Sequence, residues 1–524
     1  MVITNRISTE KNIKAGIVMS YLTLVIGVVV SIVYTPFLLS HIGKTQYGLT
    51  SFVTSITSWF TVLSSALVSS YVRFATKEAL KNNDDNAKTV NSAYFIIFSA
   101  ISLLICVLGI ALFFAMKFLI LPNSVYKDNP ESINLILILT IVSLLSIIIS
   151  VPGNLFGLYN NWKQKFIIVK GIALLINVLQ PLCTIPLLML GFDVVAVVVV
   201  QLAFTVIGIV LHIFASVKLY GFRFKKPFTA INKSLLKEIL IFSSFIILNS
   251  VVDQINSSAD KTILGFMVDD NANSVAIYQA GMLFKNYLLI LSVSISSAFA
   301  TKINEAVVSG DGTRINSIFR KTSKVQIILI LFIVGGFATF GKSFVSLWLG
   351  ETLGEDYLMS FYVALILFIL SSVPYTENVS IEIQRAKNKH KFRAILYVCV
   401  AVTNIILTIF LVAIFDKKYA IWACLIGTAF SSIVGYWVII NIYNVKVIKL
   451  DIKEYVLDLL KTTLAVVVCF LLTRGILLIS KITDDVIVLF SSTILYISFY
   501  ISYILLFERS FLKEFFRKGS IEQL

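Results

Sequence analysis

Four polar residues, Asn249, Asp253, Asn256 and Asp260, recur at intervals of four, three and four within KEILIFSSFIILNSVVDQINSSADKTILGFM, a stretch long enough to cross a bilayer. That spacing places their side chains on one stripe of a helix. A second row, Ser250, Gln254, Ser257 and Lys261, lies beside it. These groups bind and pair: amides, hydroxyls and carboxylates replace the hydration of a polar solute, and a lysine adds a cation. A carboxylate near the middle of a helix in hydrocarbon costs about 2.5–3.5 kcal/mol, so the stripe must face protein or a wet path.

Other candidates lie outside this stretch. Asp253 is about 13 residues from the inner end of its span and Lys285 about 10 from the outer end of the next. At ~1.5 Å per residue both approach the midplane, and an ion pair between them is expected. Its two readings are a pair that fixes helix packing and a pair that exchanges partners with a solute or a coupling cation. Asp260 and Lys261 fall nearer the outer interface, where snorkelling lowers their cost. Glu377 follows Pro374, whose missing N–H kinks a helix, so the two form a candidate gate or proton site. Arg73, at an inner helix end, is a candidate for meeting an anionic headgroup. Arg474 reads as structural or lipid-related, and Asn177, Gln180 and Thr184, beside Pro181 and Pro186, read as helix packing or as the wall of a cavity.

The elements that position these residues are membrane helices. Of 524 residues, 58% are hydrophobic and 14% charged, more apolar surface than a water-soluble core buries. The pattern predicts an all-α polytopic membrane protein with about 14 transmembrane helices. Residues 15–39 follow a basic start, yet the run is too long for a signal peptide and no small-residue cleavage site follows, so it reads as the first span. Lys and Arg collect on alternate connections, among them Lys77, Lys88, Lys163, Lys165, Lys225 and Lys237, which places both termini in the cytoplasm. The net charge of +16 is thereby a matter of topology, and no nucleic-acid partner is expected. Connections are short, leaving no room for a catalytic domain. The five cysteines lie in apolar runs and the three histidines are scattered, so no metal site is expected. No Walker, HExxH, GxSxG or GxGxxG pattern stands where it would work, and no enzyme activity is expected.

The two halves repeat. Phe74-Ala75-Thr76-Lys77 returns as Phe299-Ala300-Thr301-Lys302, and Asn91-Ser92 as Asn316-Ser317. Ser150-Val151-Pro152 returns as Ser372-Val373-Pro374, and Lys163-Gln164-Lys165-Phe166 as Lys389-His390-Lys391-Phe392. The matches pair even-numbered spans, so the unit is six helices and the repeats are parallel. The expected domains are an N-terminal lobe at 1–217, a cytoplasmic linker at 218–236, a C-terminal lobe at 237–442, and two further helices with a cytoplasmic tail at 443–524.

Thr35-Pro36-Phe37-Leu38-Leu39-Ser40-His41-Ile42-Gly43-Lys44-Thr45-Gln46-Tyr47-Gly48-Leu49 resembles the LLG-x-x-x-YG segment of polysaccharide transporters in the multidrug/oligosaccharidyl-lipid/polysaccharide exporter superfamily. So do Asp260 to Phe266 followed by Val275 to Ala280, and Leu347-Trp348-Leu349-Gly350-Glu351; the resemblance spans nearly the whole chain. It implies a flippase that moves an undecaprenyl-diphosphate-linked oligosaccharide across a bacterial inner membrane by alternating access. No cofactor is implied beyond coupling to H+ or Na+, and the implied partners are the lipid-linked oligosaccharide, the bilayer, and polysaccharide polymerase or glycosyltransferases. Such proteins often carry a cationic cavity, whereas only Lys285 is a mid-membrane cation within the lobes here. The alternatives are a cation-coupled drug antiporter of the same superfamily and a membrane polysaccharide polymerase. Helices 13 and 14 favour the polysaccharide branch.

Overall fold

A computed structural model describes residues 2–79, 84–124, 126–225, 233–268, 271–387, 389, 391–480, 484–509 and 511. Asn249 is helical, but its side chain lies outside the described ones. Among the described residues the regular structure is entirely helical; in hydrocarbon a helix satisfies its backbone donors and acceptors within its own segment. In order the helices are α1 (Val2–Thr57), α2 (Val62–Ala79), α3 (Asp84–Ala115), α4 (Pro130–Trp162), α5 (Phe166–Met189), α6 (Val194–Phe214), α7 (Lys233–Met267) and α8 (Asn271–Ala298). Then follow α9 (Ala300–Val308), α10 (Gly312–Leu353), α11 (Tyr357–Thr376), α12 (Val379–Ala386), α13 (Lys391–Ile414), α14 (Ala420–Ser432), α15 (Ile440–Tyr443), α16 (Lys453–Ser480) and α17 (Asp485–Tyr503). Among the described residues, 11 continuous helical segments are long and apolar enough to span. Two of them, Met19–Glu78 and Gly312–Thr376, run for 60 and 65 residues, each more than twice one ~20-residue crossing. These 11 segments are fewer than the about 14 crossings expected from the sequence, and α7 is not among them.

Two compact units divide the chain, Met1–Ala276 and Ile277–Leu524. This differs from the repeat-based boundary near 217–237, because α7 packs with the first unit. The contact is a ladder of polar bonds. Ser55 meets Thr262 at 3.0 Å, Ser58 meets Ser258 at 3.3 Å, and the Gln254 amide donates to Ser58 at 2.5 Å. Further along, Ser70 meets Ser243 at 3.1 Å and Lys77 meets Glu238 at 2.6 Å. Small polar residues of this kind join helices where lipid offers no hydrophobic drive.

The glycines of the first motif have structural work to do. Gly43 breaks α1 at φ 73°, ψ 164°, a conformation open essentially to glycine alone. One turn on, a side chain at Gly48 would collide with the backbone carbonyl of Ala272, so α1 and the start of α8 approach without a Cβ between them. Between the glycines, Thr45 donates to Asn273 at 3.2 Å and the Gln46 side chain accepts the Val194 N–H, an orphan donor at the start of α6, at 3.1 Å.

The second unit carries bonds of a similar kind with donor and acceptor exchanged. Asn91 donates to the Arg223 carbonyl in the segment after α6, while Asn316 accepts the Asp451 N–H in the segment after α15. Ser216 donates to Asn160 at 3.0 Å, and Gln384 donates to Asn444 at 2.7 Å. Each proline of the repeated Ser-Val-Pro frees the carbonyl four residues before it. Ser102 donates to Ile148, the carbonyl freed by Pro152, at 2.7 Å, and the Trp437 indole donates to Leu370, freed by Pro374, at 3.0 Å. The last two helices pack on α10 through Tyr496 and Tyr500, whose hydroxyls reach the Phe332 and Ile328 carbonyls, and through Lys324, which bridges Asp458 at 3.2 Å and Glu508 at 2.8 Å.

Candidate functional site

Helix α7 has two polar faces with different fates. Gln254, Ser258 and Thr262 point at α1 and α2 and are spent on the ladder, and Gly265 on the same side lies against the Phe52 ring. At about 100° per residue, Asp253, Asn256 and Asp260 lie on the opposite side of the helix. Asp253 is exposed on its unit, and Asn256 and Asp260 are half-buried. Lys261, by contrast, is buried at 9% exposure on the packing side.

Arg73 is exposed on α2, with its guanidinium 4.1 Å from the centre of the Phe242 ring on α7. That ring is in turn edge-on to Phe74, at 5.8 Å between centroids. A cation over an aromatic face keeps its N–H donors free at the edge, suited to an anion. The exposed Lys77–Glu238 pair sits one turn further along the same two helices. Thr184 is buried on α5 and donates to the Gln180 carbonyl, so this part of the Asn177, Gln180, Thr184 face is turned inward.

In the second unit, Lys285 is half-buried on α8. Glu377 caps the C-terminus of α11 and is 3% exposed. One carboxylate oxygen accepts from the Asn441 amide at 3.1 Å, and the other has no hydrogen-bond partner. Next to it, Thr376 meets the Tyr455 hydroxyl at 2.9 Å, and that hydroxyl also reaches the Val373 carbonyl. Pro374 thus stands in a polar knot made by α11, the segment after α14, and α16. Asn441, Trp437 and Tyr455 did not emerge from the sequence; the one signal for them was Pro374, whose freed carbonyl requires a donor from elsewhere. Among the described residues no group of three or more His, Cys, Asp or Glu is placed to hold a metal ion.

The model of the family described as polysaccharide biosynthesis protein matches residues 13–302. The chain belongs to this family. No curated protein matches it in sequence.

Solved structures share the fold of this family member. A lipid II flippase, MurJ, in an inward closed conformation superposes with a TM-score of 0.68 at 17% identity, covering 93% of this chain and 98% of MurJ. An inward-facing multidrug resistance MATE transporter of the MOP superfamily gives 0.60 at 14% identity, over 80% of this chain and 95% of that one. A MOP superfamily transporter from Pyrococcus furiosus gives 0.58 at 15%, over 82% and 96%. The chain is a multi-pass membrane protein of the polysaccharide biosynthesis family with a MOP-type transporter fold.

Proposed function

We propose that this family member is a flippase that translocates a polyprenyl-diphosphate-linked oligosaccharide, the repeat unit of an O-antigen, capsule or exopolysaccharide, across a bacterial inner membrane by alternating access. The observation that carries the reading is the division of α7. Its hydroxyl and amide row is consumed by packing, whereas Asp253, Asn256 and Asp260 face away from that contact. A sugar needs many partners for its hydroxyls, and amides with carboxylates replace its hydration while the polyprenyl tail stays in lipid. Lys285 and Arg73 are the cations assigned to the diphosphate. The partners are then the lipid-linked precursor and the polymerase or glycosyltransferases on either side of the step. Both termini are assigned to the cytoplasm from the distribution of basic residues.

Glu377 and Pro374 are assigned to coupling, with H+ or Na+ as the cation. A carboxyl at 3% exposure with one neutral donor changes its surroundings when it gains or loses a cation, and it sits at the end of a helix that contains Pro374. No covalent chemistry is assigned to the chain. The competing reading, a cation-coupled drug antiporter, shares the fold of the MATE transporters, but they cover 80–82% of this chain against 93% for MurJ. Depleting the protein and measuring the leaflet distribution of lipid-linked oligosaccharide distinguishes the two. Accumulation on the cytoplasmic leaflet is expected; unchanged precursor with increased drug sensitivity would favour the antiporter.

A further inference from the structure

In the second unit a groove of about 500 Å³ opens between the end of α11, the segment running from Trp437 to Lys446, and the first turns of α16. One wall is Val438, Ile442 and Val445, and the other is Ile452, Val456 and Leu459. Its depth follows from the helices. Trp437 to Lys446 is nine residues and Ile452 to Leu459 is seven, so at ~1.5 Å per residue the groove runs roughly 10–13 Å from its mouth. That is close to the ~15 Å of one leaflet in a ~30 Å hydrocarbon core.

The mouth is cationic. Lys446 lines it and is exposed, and exposed Lys449 and Lys453 follow at the same end of the bundle. Lys387 and Lys389 are occupied there, donating to the Ile448 and Val447 carbonyls at 2.8 and 3.1 Å. They raise the local potential without competing for a ligand, and burial, together with Lys389 and Lys449, lowers the pKa of Lys387 from its ordinary value. The walls exclude a soluble anion or a sugar, whose polar groups would lose hydration against valine, isoleucine and leucine.

We propose that this groove holds an anionic bilayer phospholipid, one acyl chain lying between the two apolar walls and the phosphate on Lys446. A phospholipid chain stays within one leaflet, as the groove does. The site needs only that the protein lies in a membrane and stands apart from the proposed substrate. Its inner end reaches the coupling residues: Val373 and Asn441 line it, and Asn441 donates to Glu377 and to the Trp437 carbonyl. Lipid occupancy would therefore brace the Pro374 end of α11 within the second unit.

The test uses the full chain, delipidated in detergent, titrated with dioleoyl-phosphatidylglycerol or dioleoyl-phosphatidylcholine and read by native mass spectrometry. Wild type should retain phosphatidylglycerol preferentially, and Lys446→Ala should weaken that retention about fivefold, the effect of one interfacial lysine. Val456→Trp, which fills the groove, should abolish the preferred lipid, while Leu464→Trp, on the exposed face of α16 beyond it, should not. Circular dichroism of each variant establishes that it is folded. Equal phosphatidylglycerol retention by folded wild type, Lys446→Ala and Val456→Trp would overturn the proposal. So would displacement of the lipid by inorganic phosphate alone, or stronger retention of undecaprenyl phosphate that Val456→Trp removes.

Discussion

The indole of Trp437 donates to the carbonyl of Leu370 at 3.0 Å, and Leu370 is four residues before Pro374. The proline removes the backbone donor that this carbonyl would otherwise have, and a side chain from another helix replaces it. Trp437→Phe should therefore strand a buried acceptor and cost about 1–3 kcal/mol. In a Pro374→Ala background the backbone N–H returns, and the same change should cost much less. Thermal unfolding of the four proteins in detergent gives this cycle; a Trp437→Phe cost independent of residue 374 would contradict it.

The first unit offers an independent version. Ser102→Ala should cost about 0.5–1.5 kcal/mol by leaving the Ile148 carbonyl unpaired, and Pro152→Ala should remove most of that cost. Export, measured as surface polysaccharide at matched membrane abundance, should respond more to Pro374→Ala than to Pro152→Ala, because Pro374 adjoins Glu377. Equal export by both would reduce Pro374 to a packing residue.

The two faces of α7 should separate in mutants. Gln254→Leu removes donors to Ser58 and Ser258, so its main effect should be on stability, lowering the melting temperature. Asp253→Asn should leave stability near wild type and alter export. Lys285→Ala should weaken export further by removing a cation assigned to the diphosphate. Wild-type export by Asp253→Asn, Lys285→Ala and the double variant Asp253→Ala/Lys285→Ala would eliminate the proposed path.

The motif around Gly43 and Gly48 should behave as structure. Gly43→Ala forces a side chain into a conformation costing about 1–3 kcal/mol, and Gly48→Ala sets a Cβ against the Ala272 carbonyl. Both should lower the yield of folded protein, and lipid-linked substrate should not rescue Gly48→Ala. Normal yield and melting temperature for Gly48→Ala would show that α1 and α8 do not need this approach.

Orientation is checked with cysteines at Glu131 and Lys417, which should react with an impermeant maleimide in intact cells, and at Lys163 and Lys449, which should react only after permeabilisation. The reverse pattern would invert the assignment of the termini.

The sequence alone determined the helical class, the membrane setting and the family. Apolar runs in lipid have few backbone solutions, and a repeated Ser-Val-Pro or Asn-Ser is visible as a string of letters. It also located α7 as a helix with too many polar groups for hydrocarbon. Which polar groups were spent on packing was decided by tertiary structure. Periodicity places Gln254 and Asp253 on different faces, but it does not say which face meets α1 and α2; the Ser55, Ser58 and Ser70 partners do, and they lie some two hundred positions away. The same holds for Pro374. Its lost hydrogen bond is a local certainty, while the replacement donor, Trp437, comes from another helix, because only folding brings an indole to within 3.0 Å of Leu370.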